Sequence, residues 1–416
     1  MRETRFSILK GIAIILVVLS QSGVPGWAKH FLCFFHVPVF FICAGYFFHT
    51  KYLTDERTFV MHRVKGLYWP FLRWSVAFLV LHNLLFHLGL LSETYGNASG
   101  GVLHPYTWQQ WSQHLWSIVV NMSGYDAFLC GTFWFFRALL LASLAFLVLF
   151  KVFRRSDRLK NDRQVGWAIF LTAFVLTIWQ LSCGLTATGI SQSGFRELCG
   201  ILFMASGFLI RQYGIADRLS WKWAVPSLAA LVLAAAFCPA MMSYTSDMRN
   251  FLCLPIPAIA GFLALLYCST LIDGKSRYAK RILTYVGDRT LYVFAFHLVA
   301  FKLVSAIKVG FYGLPWEAVG GHPYVLQPAN NALFILLYVL AGVGLPLVTL
   351  AAYRQVAVRV NISGEQLAGY GIVGAQKCCH FIYMVGRGIV LIVKACAQGI
   401  VEGLKAIRDA SNPKEE

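Results

Sequence analysis

Charge is the first thing this chain is short of. Asp, Glu, Lys and Arg make up 13% of its 416 residues, about half the share of a typical soluble domain, and this excludes a freely soluble globular protein. Acidic residues are scarcer still, 18 against 36 Lys and Arg, for a net charge of +18. The chain also lacks a CxxC pair, a Walker A loop, a GxGxxG turn and any spacing suited to metal ligands, so no zinc site, P-loop or dinucleotide fold is expected, and no metal. Its eleven cysteines lie mostly inside apolar segments, among them Cys33, Cys43, Cys130, Cys199, Cys238 and Cys253, and read as helix-packing residues.

What is present is apolar surface. Hydrophobic residues make up 58% of the chain and the mean hydropathy is +0.63, the composition of a polytopic membrane protein. The first apolar run, flanked by Arg2, Arg5 and Lys10, has no small-residue cleavage site behind it and reads as a retained helix. Runs long enough to cross a bilayer fall at about 8–24, 31–49, 67–92, 128–150, 165–183, 195–211, 222–241, 250–272, 285–307 and 330–353. That predicts an all-α membrane protein of about ten transmembrane helices.

Loop charge tests this count, because cytoplasmic loops hold the excess of Lys and Arg. With the amino terminus inside, the inner segments carry 29 of the 36 basic residues. Outside there are Lys29, Arg196, Arg249 and Lys308, and the outer loop 93–127 has none. The partition predicts both termini in the cytoplasm and explains the positive charge by topology and anionic lipid, without nucleic acid as a partner. In loop 93–127, Trp108, Trp111 and Trp116 with Ile118 and Val119 predict a short interfacial helix. With the aromatic, Gly- and Pro-rich segment 309–329 it is expected to roof an outward-facing site. Residues 1–356 form the predicted membrane domain. Residues 357–416 form a cytoplasmic amphipathic tail; an eleventh span at 381–401 would bury Arg387 and Lys394 at a few kcal/mol each.

Ionisable groups within the membrane are costly and are therefore functional candidates. Lys10 and Gln21 stand eleven residues apart, about 16 Å along one helical stripe. Lys10 is either a positive-inside anchor or a cation for the phosphates of a cytoplasmic cofactor. Gln21 and His36 flank the short turn between the first two helices and are expected to meet at similar depth, either as a structural staple or as part of a site. His297 lies near mid-membrane on the ninth predicted helix, and Arg137 reaches comparable depth with no Asp or Glu expected in the deep core. Glu197 either complements a helix dipole or orients a histidine. Arg63 and Lys65, in HRVKGLYWP, are expected in a loop that is either solvated or phosphate-binding.

In order, KGIAIILVVLSQ, FHVPVFFICAGYFF, HRVKGLYWPF, GTFWFFRALLL and VGDRTLYVFAFHLV resemble the landmarks of the integral-membrane acyltransferase-3 family, in particular the fucose 4-O-acetylase-like acetyltransferases. The resemblance covers about residues 5–356. It implies ten helices in a bacterial inner membrane and an O-acyltransferase, in the first instance an acetyltransferase, that draws on acetyl-CoA or another acyl-CoA. It further implies a hydroxyl acceptor on a sugar, polysaccharide or lipid-linked glycan. Lys10, Arg63 and Lys65 would hold the CoA phosphates; His36, His297 and Arg137 would serve the chemistry. Family members carry histidine where this chain has Gln21, and a carboxamide cannot take a proton at any useful pH. His36 is then the best available base, with Gln21 as an amide donor. A catalytically silent member that binds acyl-CoA or glycan in an envelope-biosynthesis complex stays open, as does a secondary transporter or flippase, which the want of intramembrane carboxylates and repeats disfavours.

Overall fold

The computed structural model describes residues 3–96, 104–185, 191–242 and 247–359. The protein is an all-α membrane protein, with no β-strand among the described residues. Its helices are α1 (Thr4–Ser20), α2 (Gly26–Cys33), α3 (Pro38–Tyr46), α4 (Glu56–Arg63), α5 (Trp69–His87), α6 (Trp108–Asn121), α7 (Trp134–Arg154), α8 (Asp162–Ser182), α9 (Phe195–Gln212), α10 (Trp221–Phe237), α11 (Met248–Cys253), α12 (Pro255–Lys275), α13 (Arg277–Gly287), α14 (Thr290–Tyr312) and α15 (Ala332–Arg359). Among the described residues, eight helical stretches are long and apolar enough to cross a bilayer. Two more of the predicted spans, α1 and α10, are 17 residues each, at the short end of the spanning range. The predicted amphipathic tail, the 381–401 segment and Cys378-Cys379 lie outside the described residues.

Several boundaries differ from the sequence reading, each for a local reason. The second span begins at Gly26 rather than Phe31 and is interrupted between α2 and α3. Pro38 opens α3 at its first position, where its missing N–H costs nothing, whereas a continuous helix would set its ring against the carbonyl four residues back. The HRVKGLYWP segment, expected as a loop, is helical. α4 and α5 join through a wide turn at Val64–Tyr68, in which the Trp69 N–H reaches back to Val64 O. Pro70 has no N–H for a normal helical bond, and the widened turn absorbs that loss. The last predicted inner loop folds as α13, separate from α14.

The chain divides into two compact units, one drawn from residues 1–83 and 106–295, the other from 84–105 and 296–416. In the first, α1 packs on α12 and α13, and α9 lies between α3 and α8. Two of these crossings need glycine. A Cβ on Gly287 would lie 1.8 Å from Ser7 O, and one on Gly207 1.9 Å from Ile42 O, so backbones touch where small residues permit.

Segments that the charge pattern assigns to the inner side meet one another in this unit. Arg5 donates to Asp217 Oδ1 at 2.7 Å, Lys151 pairs with Glu56, and Arg211 bonds Phe48 O at 3.2 Å. Arg211 Nη2 also meets His49 Nδ1 at 3.2 Å. His49 titrates below the usual imidazole range, first through burial and then through Arg211 and Lys51. At the opposite ends of the helices, Cys238 and Cys253 form a disulfide with Cα atoms 5.9 Å apart. This corrects the reading of both as packing residues: they close the segment between α10 and α12, and such a bond is at home on an oxidising face. The expected interfacial helix is α6, started by a Thr107–Gln110 capping box and showing Trp108 and Trp116 to the surroundings.

The second unit is held by two buried lysines of α14. Lys302 Nζ donates to the carbonyls of Val319, Gly320 and Gly321 at 2.9–3.2 Å. Lys308 Nζ is held by Val325 O, Pro328 O and Asn330 Oδ1. Backbone oxygens converging on an ammonium replace its lost hydration, and they tie the Gly- and Pro-rich segment to its own helix.

Candidate functional site

Lys10, Ile14, Val17 and Gln21 follow one another at four-, three- and four-residue steps and therefore share one face of α1. Ile14 and Val17 line a cavity of about 30 Å³ with Val37, Phe40, Phe135, Thr290, Leu291 and Phe294. The predicted stripe thus borders a small, partly open apolar cavity between its two polar ends. That space has room for no more than a water or two, so a pantetheine arm could enter only if the side chains around it part. Gln21 itself ends α1 with φ −103° and ψ 1°.

His36 occupies the interruption between α2 and α3, one residue before Val37 of the cavity wall. Three donors converge on Leu32 O: the amides of Phe35 and His36 at 3.3 and 3.2 Å and His36 Nδ1 at 2.6 Å. A carbonyl can only accept, so Nδ1 carries the proton, and in the neutral ring the lone pair is on Nε2. The imidazole is buried, 6% exposed. The expected meeting with Gln21 takes a different form: no hydrogen bond joins the two side chains, because the interruption turns His36 back onto its own helix.

Arg137 sits in the first turn of α7, buried at 5% exposure. Its Nε donates to Glu197 Oε1 at 3.0 Å. This corrects the expectation that no carboxylate reaches it. Glu197, in the first turn of α9 and expected either to complement the helix dipole or to orient a histidine, is buried as the partner of this arginine. Arg196 places its guanidinium 4.4 Å over the Trp134 ring. Burial pushes the Tyr125 phenol up to about 12, against the lowering influence of the nearby Arg196 and Arg137.

The remaining predicted residues are distributed over the fold. Lys10 is half-buried on α1, Arg63 lies 5.0 Å over the Phe59 ring at the end of α4, and Lys65 is exposed in the wide turn. α1 packs on α12 and α13 while α4 packs on α7, so the three cations sit on two separate helix groups. His297 belongs to the second unit, fully buried, with its ring edge-on to Phe301. Among the described residues, no cluster of three or more His, Cys, Asp or Glu is arranged to hold a metal.

One pair escaped the sequence reading. His82 of α5 bonds Asp126 Oδ2 through Nδ1 at 2.5 Å with both side chains fully buried, and Asp126 Oδ1 accepts the amides of Phe128 and Leu129. Tyr106 stacks on His82 with ring centroids 3.7 Å apart. The signal was scarcity: Asp126 is the one acidic residue between Glu93 and Asp157, as Glu197 is between Asp162 and Asp217. An isolated acid in such surroundings needs a partner.

No curated protein and no solved structure shows significant similarity to the chain. A family model described as an acyltransferase domain matches residues 4–351, nearly the whole described fold, and the chain belongs to the acyltransferase-3 family of membrane acyltransferases.

Proposed function

We propose that the protein is an O-acyltransferase that moves an acyl group, an acetyl group in the simplest case, from cytoplasmic acyl-CoA to a hydroxyl of a sugar, polysaccharide or lipid-linked glycan. One observation carries this reading. The stripe from Lys10 to Gln21 borders an apolar cavity whose wall continues into the turn holding His36, and that histidine is fixed in the tautomer a general base needs. The CoA phosphates would meet Lys10, with Arg63 and Lys65 as further cations, and the acyl thioester would advance along the stripe. The acceptor oxygen attacks the thioester carbon as His36 Nε2 takes its proton. The C–S bond then breaks, and the CoA thiolate leaves and recovers a proton. Gln21 would donate an amide N–H to the developing oxyanion, Arg137 would supply a fixed positive charge, and His297 is the reserve base.

In this reading residues 1–356 are the catalytic domain, 357–416 a surface-lying tail, and both termini face the cytoplasm of a bacterial inner membrane. Gln21 favours a second reading, a silent member that binds acyl-CoA or glycan without turnover. Membranes carrying the protein, given radiolabelled acetyl-CoA and a panel of cell-envelope glycans, decide between them. Label in a glycan fraction supports transfer; CoA binding with neither transfer nor CoA release supports the silent member.

A further inference from the structure

We propose that Glu197 Oε2 anchors a glycoside-binding subsite at the start of α7 and α9, accepting a hydrogen bond from a sugar hydroxyl. Glu197 is 8% exposed. One of its oxygens is committed to Arg137 Nε. The other, Oε2, is buried and accepts no hydrogen bond among the described residues. A buried carboxylate oxygen left in this state is destabilising, and a charge-assisted bond from a ligand hydroxyl would recover that.

The surroundings select the class of ligand. Arg196 and Arg137 supply donors, Tyr125 a neutral phenol, and Trp134 an aromatic wall. An anion would be drawn to the arginines and repelled by Oε2, whereas a neutral polyol can both donate to the carboxylate and accept from the guanidinium groups. Phe135, between Trp134 and Arg137 on the same helical turn, lines the cavity beside α1. A sugar held here would therefore stand next to the proposed path of the acyl group. The inference deepens the transferase reading and depends on it for the identity of the acceptor, while the binding step can be tested alone.

The test uses the full chain in lipid nanodiscs with three soluble probes, the methyl glycosides of a hexose, a 6-deoxyhexose and an N-acetylhexosamine, at millimolar concentration. At least one should slow hydrogen–deuterium exchange over residues 134–137 and 194–200 of the wild-type protein. Glu197→Gln should weaken that glycoside at least about tenfold, the worth of one lost charge-assisted bond, with binding of a fluorescent CoA unchanged. Because Glu197→Gln strands Arg137, the neutral pair Arg137→Gln/Glu197→Gln serves as the second variant and should show the same loss. Protection that survives in both variants overturns the proposal. So does wild-type protein that no glycoside protects, which would leave Oε2 to an ordered water only. Glycoside binding that depends on Glu197 without CoA binding would sink the transferase reading and keep the subsite.

Discussion

α7 carries an arginine near each end, and each has a carboxylate partner on another helix. At its start Arg137 pairs with Glu197, the two side chains 6% and 11% exposed. At its end Arg154 pairs with Asp162, 49% and 28% exposed, on the rim of an open hollow of about 440 Å³ shared with Lys160, Asn161, Arg163 and Gln212. The residue types match and the physics does not. In the buried pair each charge has given up water for its partner, so neither can be removed alone without leaving an uncompensated ion. Bulk solvent hydrates the second pair whether or not it forms. Functional constraint in this family member should therefore gather at the start of α7, where polar groups cannot be exchanged freely.

The sharpest way to break that contrast is Arg137→Met. It leaves Glu197 buried beside an apolar side chain, and a loss of about 3–5 kcal/mol in stability is expected, read by thermal unfolding of the detergent-solubilised protein. Arg137→Met/Glu197→Met should regain most of it, since a buried ion pair replaced as a unit is often neutral. If the single and double variants unfold alike, the pair does not behave as one buried ion pair.

Next in size is the base. His36→Ala should lower acyl transfer by on the order of 10²-fold or more, as expected for loss of a general base. The same change should leave CoA binding intact. Gln21→His should hold or raise activity by placing a titratable imidazole at the end of the stripe. Full activity in His36→Ala with loss in His297→Ala would move the base to α14.

Much of the fold was legible because bilayer thickness and loop charge are long-range, additive signals. The apolar runs and the Lys and Arg partition marked the helices, and Trp108, Trp111 and Trp116 marked α6. What stayed illegible depended on single contacts. The predicted spans ran unbroken through Pro38 and Pro70, because whether a helix breaks or widens around a proline follows from which neighbours can receive the freed carbonyl. Arg137 was recognisable as a residue in need of an anion, yet Glu197 stood on a different helix. His82 gave no pattern at all until Asp126 was folded against it. Lys302 and Lys308 took backbone carbonyls for partners, which no side-chain pattern can announce.

A smaller effect is expected at Lys10, half-buried on α1. Lys10→Ala should weaken acyl-CoA binding by about tenfold, the worth of one charge-assisted contact, without disturbing insertion, because Arg5 still ties the start of α1 to Asp217. Dye-displacement titration reads the affinity. An unchanged value would return Lys10 to the role of a membrane anchor.

The smallest effect is expected at the far end of α7. Arg154→Met removes the partner of Asp162, but both groups are partly exposed, and an exposed pair is worth less than about 1 kcal/mol after screening and side-chain entropy. α8 keeps its own start, since the Asn161 side chain accepts from Gln164 N and the Gln164 side chain reaches back to the Asn161 amide, and that box does not need Arg154. The variant should unfold within a degree or two of the parent, and the small difference should shrink further as salt rises, because ions screen exposed charges within about 10 Å at 0.1 M. A loss as large as that of Arg137→Met, persisting in high salt, would show that the two ends of α7 are alike after all and that burial is not what separates them.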